Sequence, residues 1–366
     1  MAIALIAHSV LVVNNEFQSA RHQCPAGIFM IRIISRFLLI PITFMLLVGC
    51  AGIAVTPPAN DPVTLRVNVF RSATNIPLYM AEEKGAFAKR NIRLELQFTP
   101  NSSEQRAGLA AGRSDIAHTA ADNSVAMVEV AKVDTVIVGG GDSGLLELFV
   151  RPEIKSLEDV RGKAMVVDAP NTAYALVARK ILKNAGLIDG RDYRLAPIGG
   201  TESRVNAFSQ SPDNAVGMLN PPWTFVAESR GAKSLGQAKD LFGPYQAIVP
   251  IAMRSWAQSN SGALERYLAA YIEGCRMTFD PSNRAEVISV LRKRLNLTQE
   301  VASRSYEGLI QPGYGLARDC RFDMAGFRNA LALRAEMEGQ WGGVPPEPNK
   351  YLELTYYERA LKFASQ

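Results

Sequence analysis

From Val63 onward the chain alternates between two hydrophobic periods, and that alternation limits the fold more than any other feature. Val63, Leu65, Val67 and Val69 alternate with Thr64, Arg66 and Asn68, the two-residue period of a strand. Asn75 and Pro77 then open a run of good helix formers, and the spacing predicts a helix over Leu78–Arg90. Leu94–Phe98 returns to strand alternation. Strand, helix, strand requires a mainly parallel sheet with helices packed on it.

The pattern repeats downstream. Helices are predicted over 104–112 and 124–132, short strands over 115–117 and 136–138, and an extended stretch over 146–151 that Pro152 ends. A second series begins with a strand over 164–168 and a helix over 172–185, whose Tyr174, Val177, Ala178, Ile181, Leu182 and Ala185 keep the 3.6-residue period. Residues 216–219 and 247–251 read as strands, and from Ser261 the pattern is almost wholly helical. These signals predict an α/β protein of two lobes that share the chain discontinuously. One is 63–147 plus 252–366 and the other 148–246, with extended hinge crossings near 146–152 and 243–251.

The first 62 residues read differently. Arg32 and Arg36 precede a thirteen-residue apolar run, Phe37 to Gly49, too short for a membrane span. We read 30–49 as a secretory signal and 50–62, with Pro57-Pro58 and Pro62, as a stiff tether. Residues 1–29 read as an over-extended or disordered segment ahead of Met30. Leu47-Val48-Gly49-Cys50 resembles the lipobox of bacterial lipoproteins, which implies acylation of Cys50 and an exported, membrane-anchored product.

The leader carries Arg21, Arg32, Arg36 and Glu16, so the 40 basic and 35 acidic residues of the whole chain fall to 37 and 34 beyond it. That balance, with scattered Lys and Arg, gives no reason to expect a nucleic-acid partner. Beyond Cys50 only Cys275 and Cys320 remain. Cys275 lies on an apolar helical stripe with Leu264, Tyr267, Leu268, Tyr271 and Ile272, while Cys320 lies in a polar stretch; whether they pair is open.

Five segments, in order, resemble periplasmic solute-binding proteins of ABC importers, of the class that binds sulfonates, taurine, nitrate and thiamine-pyrimidine precursors. They are Ile76–Phe87, Leu109–Ala117, Ile154–Lys163, Ile181–Leu187 and Asn220-Pro221-Pro222. The resemblance implies the type II periplasmic-binding-protein fold, with a solute gripped between lobes and passed to permease and ATPase subunits by a monomer. It also implies the alternatives of a pyrimidine-precursor synthase-like enzyme or a ligand-sensing lipoprotein. The enzymes of that kind carry a cysteine-rich segment and an active-site histidine, and neither pattern is visible here. Pro170-Asn171-Thr172 replaces the family's small Gly-Ser/Thr turn, and the strand near 216 reads Asp213-Asn214-Ala215-Val216, without the usual acidic residue directly before alanine, so the ligand does not carry over.

In open α/β sheets ligands sit beyond the carboxyl ends of strands, which marks the candidate ligand residues. They are Arg71, Thr74 and Asn75 after the first strand, Asp122 and Asn123 before the third helix, and Ser143 in a glycine-rich loop. Asn171 and Thr172 at the main second-lobe helix, and Asn220 and Trp223 after a late strand, complete the set. A carboxylate from Asp122 in the cleft would select a cationic or amine-bearing ligand. Gly141-Asp142-Ser143-Gly144 resembles a serine-protease nucleophile segment, but His118 is the only histidine after residue 49, and no catalytic role is assigned. No cluster has metal-ligand spacing, and neither metal nor cofactor is expected.

Overall fold

In a computed structural model that describes residues 61–364, two five-stranded sheets carry the architecture. Alternation builds β1 (Val63–Val69) and β2 (Ile92–Phe98), which pair in parallel; β1 also pairs in parallel with β3 (Ile116–Ala120). β4 (Thr135–Ile137) completes the forward run of the first sheet. Between these strands lie α1 (Ile76–Glu83), α2 (Ser102–Ala110) and α3 (Ala121–Glu129).

The chain then crosses to the second sheet, formed by β5 (Glu147–Val150), β6 (Ala164–Val167), β7 (Arg194–Pro197), β8 (Asn214–Leu219) and β9 (Lys233–Gln237). Its helices are α4 (Ala173–Asn184), α5 (Thr201–Gln210), α6 (Trp223–Ser229) and α7 (Ala238–Phe242). β10 (Ile248–Met253) returns to the first sheet.

The sheet orders are β2-β1-β3-β10-β4 and β7-β6-β8-β5-β9. Both sheets are mixed. β10 runs antiparallel to β3 and β4, and β5 antiparallel to β8 and β9. These are the two strands by which the chain changes sheets, so each enters its new sheet against the grain of the βαβ units.

The remaining helices are α8 (Arg254–Ser259), α9 (Ser261–Phe279), α10 (Arg284–Leu295), α11 (Gln299–Ile310), α12 (Met324–Glu338) and α13 (Thr355–Phe363). The helical tail is not confined to one sheet's side. α12 ties to α4 through Arg179–Glu338 at 2.7 Å and Lys180–Glu336 at 2.7 Å, and α11 ties to α6 through Arg304–Glu228 at 2.5 Å. One apolar cluster runs from Leu148, Met165 and Val216 of the second sheet to Phe327 and Leu331 of α12 and Ile137 and Ile251 of the first. Residues 252–366, expected wholly with the first lobe, thus pack on both.

Cys275 and Cys320 are both buried and unpaired. For Cys320 this departs from the polar surroundings expected of it. Asp319 and Cys320 both take positive φ, which turns the thiol inward toward the Tyr271 carbonyl of α9. No described helix is long and apolar enough to cross a membrane. The leader, the tether and Cys50 lie outside the described residues.

Candidate functional site

Six parallel strand ends converge on one cavity. β1 runs out into Phe70-Arg71-Ser72, β2 into Thr99-Pro100, and β3 into the start of α3; from the second sheet β6 runs out into Asp168, β7 toward α5, and β8 into Asn220. Together they enclose a space of about 350 Å³, the scale of a small-molecule site. Phe70, Phe98, Pro100, Tyr174 and Ile248 give it an apolar wall, and apart from Ala120, Ala173 and Gly200 the remaining lining is polar.

Hydrogen bonds cross this junction and hold it shut. The Ala73 amide donates to the Pro221 carbonyl at 3.1 Å and the Gly200 amide to Pro100 at 2.8 Å. Asn220 Nδ2 reaches Ser72 Oγ at 3.2 Å, and the Trp223 indole N–H donates to the Arg71 carbonyl at 2.7 Å. Arg71 itself meets Glu202 of α5 at 3.4 Å. Asp168 accepts from the Ser102 amide, the first residue of α2, through both oxygens at 3.2 and 3.1 Å.

Of the residues named from sequence, Arg71, Thr74, Asn75, Asn123, Thr172 and Asn220 line the cavity. Asp122, Ser143, Asn171 and Trp223 do not. Asp122 faces away, where Arg334 of α12 clasps it twice, at 2.6 and 2.8 Å, with 2% and 1% of the side chains exposed. A carboxylate so buried and turned from the cavity does not reach a solute there. Arg334 also donates to the Asn171 carbonyl at 2.9 Å, which fixes that residue as part of the same anchor.

The glycine-rich loop before Ser143 serves packing. A Cβ on Gly140 would sit 2.3 Å from the Arg321 carbonyl, and one on Gly141 2.4 Å from that of Ile248. Ser143 follows that constrained backbone, its amide spent on Gly315. Trp223 packs against the cluster of Phe149, Val166 and Phe208 and contributes to the junction only through its N–H.

The structure adds residues that were not singled out: Asp168, Glu202, Arg204 and the aromatic wall. Asp168 follows a strand end, the signal that marked the others, and was legible on that ground. Glu202 and Arg204 lie on α5, whose weak periodicity concealed it. Arg204 is 2% exposed, and burial lowers its guanidinium pKa. It donates to the carbonyls of Gly199 and Met218 and to Thr201 Oγ1.

His118 also lines the cavity. Its Nε2 lies 2.7 Å from the Tyr267 hydroxyl, and burial pulls its pKa down to about 3, so it is neutral at ordinary pH. A base so weak and so placed does not fit a nucleophile-activating role. Two acceptors in the lining, Asn123 Oδ1 and Asn220 Oδ1, have no partner, though their residues are 2% and 5% exposed. Among the described residues no group of His, Cys, Asp and Glu could hold a metal ion.

The family model described as NMT1/THI5 like matches residues 72–284, more than half of the chain. The chain belongs to the NMT1/THI5-like family. Among solved structures, the periplasmic nitrate-binding protein NrtA from Synechocystis PCC 6803 is similar with a TM-score of 0.67 at 14% identity, over 83% of this chain and 89% of that one. The alkanesulfonate-binding protein SsuA from Xanthomonas axonopodis pv. citri, solved with MOPS, gives 0.65 at 16% identity, over 81% and 100%. The desulfurization enzyme DSZB gives 0.57 at 14%, over 82% and 99%. At such identities the likeness speaks for the fold, which this NMT1/THI5-like chain shares with periplasmic solute-binding proteins of ABC importers. No curated protein sequence matches the chain.

Proposed function

We propose that this protein captures a small organic solute between its lobes and delivers it, chemically unchanged, to the permease and ATPase of an ABC importer. The partly apolar cavity at the meeting of six strand ends carries this reading. In the proposed cycle, the first sheet's lobe, 63–147 with part of the helical tail, and the second, 148–246, pivot on the crossings near 146–152 and 243–251, and solute contacts shift the balance toward closure. Arg71, Thr74, Asn75, Asn123, Thr172 and Asn220 touch the solute. The protein works as an exported monomer, tethered outside the cell by lipid on Cys50.

The test is small-angle scattering combined with thermal melting across sulfonates, nitrate, amines, pyrimidines and aromatic acids. Capture predicts that at least one class compacts the protein and raises its melting temperature without being turned over. A panel that moves neither quantity refutes it. Labelled palmitate entering the wild-type chain but not Cys50→Ala tests the anchor separately.

A further inference from the structure

Donors and acceptors around the cavity are unevenly committed. Of its two guanidinium groups, Arg204 is occupied by two carbonyls and a hydroxyl, and Arg71 is half-exposed with Glu202 facing its Nε at 3.4 Å. Among its acceptors, Asn123 Oδ1 and Asn220 Oδ1 are buried without partners. Asp168 has a single hydrogen-bonding partner, the Ser102 amide, and no Lys, Arg or His within ion-pair distance among the described residues.

That one contact matters for selectivity. A helix N-terminus is where an anion is held most readily. Here the N-terminus of α2 already carries a carboxylate, supplied from the opposite lobe at the end of β6. A bare sulfonate or nitrate, whose oxygens only accept, would enter beside Asp168 and Glu202 and leave both amide oxygens unsatisfied. An unsatisfied buried acceptor and a like charge at short range both count against binding. An ammonium or amide N–H would instead supply the missing donors.

Resting on the solute-capture reading, we propose that Asp168 is a specificity-determining residue that makes this cavity select a solute with a cationic or N–H donor head on a flat apolar body. The head meets Asp168, Asn123 and Asn220, and the body lies along Phe70, Phe98 and Tyr174. The start of α4, at Thr172 and Ala173, also opens on the cavity and is the place an anion would otherwise choose. It is the rival that the experiment must exclude.

The experiment uses three probes with one body and different heads: benzylamine, benzamide and benzenesulfonate. Each is titrated calorimetrically into the full chain and into Asp168→Asn and Asp168→Glu. Wild type should bind benzylamine at least about tenfold more tightly than benzenesulfonate, the scale of one charge-assisted hydrogen bond. Asp168→Asn should shrink that ratio by about tenfold and leave benzamide within about threefold, while Asp168→Glu keeps the preference for the amine. Circular dichroism and melting of each variant confirm that it folds.

Benzenesulfonate binding wild type as tightly as benzylamine overturns the proposal, as does an Asp168→Asn ratio equal to wild type. Binding by none of the three also overturns this assignment of head and body. Solute capture itself falls only if the wider scattering panel fails as well, so the two failures can be told apart.

Discussion

Arg334 and Asp122 form a fully buried, bidentate pair, and its value lies in what happens when one member is lost. Removing one partner leaves an uncompensated charge in the interior, at a cost of about 3–5 kcal/mol. Arg334→Met should therefore lower unfolding stability by that amount in urea, and Arg334→Met with Asp122→Leu should recover most of it. Two buried titrating groups act oppositely on acidification. His118 ordinarily titrates at 6.5, and burial takes it to about 3. Between those values the unfolded chain binds a proton that the native one does not, so stability falls as pH drops. Asp142 ordinarily titrates at 3.8; burial pushes it up to about 6 despite amides donated by Gly144, Leu145 and Ile248. There the native chain holds the extra proton, and stability rises as pH drops. From pH 6 to 4 the two effects offset each other. Asp142→Asn should then lose stability relative to wild type by up to about 1.4 kcal/mol per pH unit over that interval, read from urea midpoints. A difference that does not vary with pH contradicts the assignment. The site was legible from sequence wherever a residue follows a parallel strand end, as Arg71, Asn123 and Asn220 do. Asp122 escaped because its partner lies 212 positions away, beyond the reach of any local pattern. The carboxylate considered at Asp122 is Asp168 in our proposal.

Among elements, legibility followed the apolar pattern and not the place in the sheet: the edge strands β2 and β4 were read as readily as central ones. β1 and β6 are flanked by strands, and their patterns are regular. β7 and β9, the edges of the second sheet, went unread because neither has a fully buried residue; Lys233–Gln237 had no need of an apolar alternation. The helix expected over Leu78–Arg90 stops at Glu83, because Gly85 takes a left-handed φ of 70° and turns the chain out. A short 3₁₀ turn, Ala88–Arg90, replaces its second half. The helix expected from Ser124 begins at Ala121, which carries Asp122 into the first turn and toward Arg334. The tightest contact between elements is α1 on α9. A Cβ on Gly274 would lie 1.9 Å from the Pro77 carbonyl and 2.9 Å from the Ala81 Cβ. Both obstacles belong to rigid helix, so Gly274→Ala must push the helices apart. The expected loss is about 3 kcal/mol, the upper end of overpacking, seen as a lower melting temperature. Gly112→Ala, whose Cβ would meet nothing within 4 Å but whose φ is 68°, should cost only the backbone strain, about 1 kcal/mol.

For the whole molecule, the question is what balance of forces holds the junction closed. On one side, α12 binds α4 through Arg179–Glu338 and Lys180–Glu336, and Arg334 joins α3 to the start of α4. These contacts lie away from the cavity lining and bridge the elements of both sheets. On the cavity side the closing contacts are the Arg71–Glu202 ion pair, the Asp168 carboxylate on the Ser102 amide and several single hydrogen bonds, among them that of the Trp223 indole with the Arg71 carbonyl. Each such bond contributes about 1 kcal/mol net, so removing one should shift a lobe equilibrium by about fivefold without unfolding the protein. Trp223→Phe keeps an aromatic ring against Phe149 and Phe208 and deletes the donor together with part of the ring volume. It should weaken the apparent affinity for a captured solute by up to about fivefold, the full factor applying where the solute-free protein is mostly open, since a ligand that binds the closed state loses affinity in proportion to the closed population. Scattering should show a larger radius for the solute-free variant than for wild type, converging once solute is saturating. An affinity equal to wild type would mean that closure does not depend on this bond. A variant that stays expanded at saturating solute would mean that Trp223 is needed to form the closed state at all.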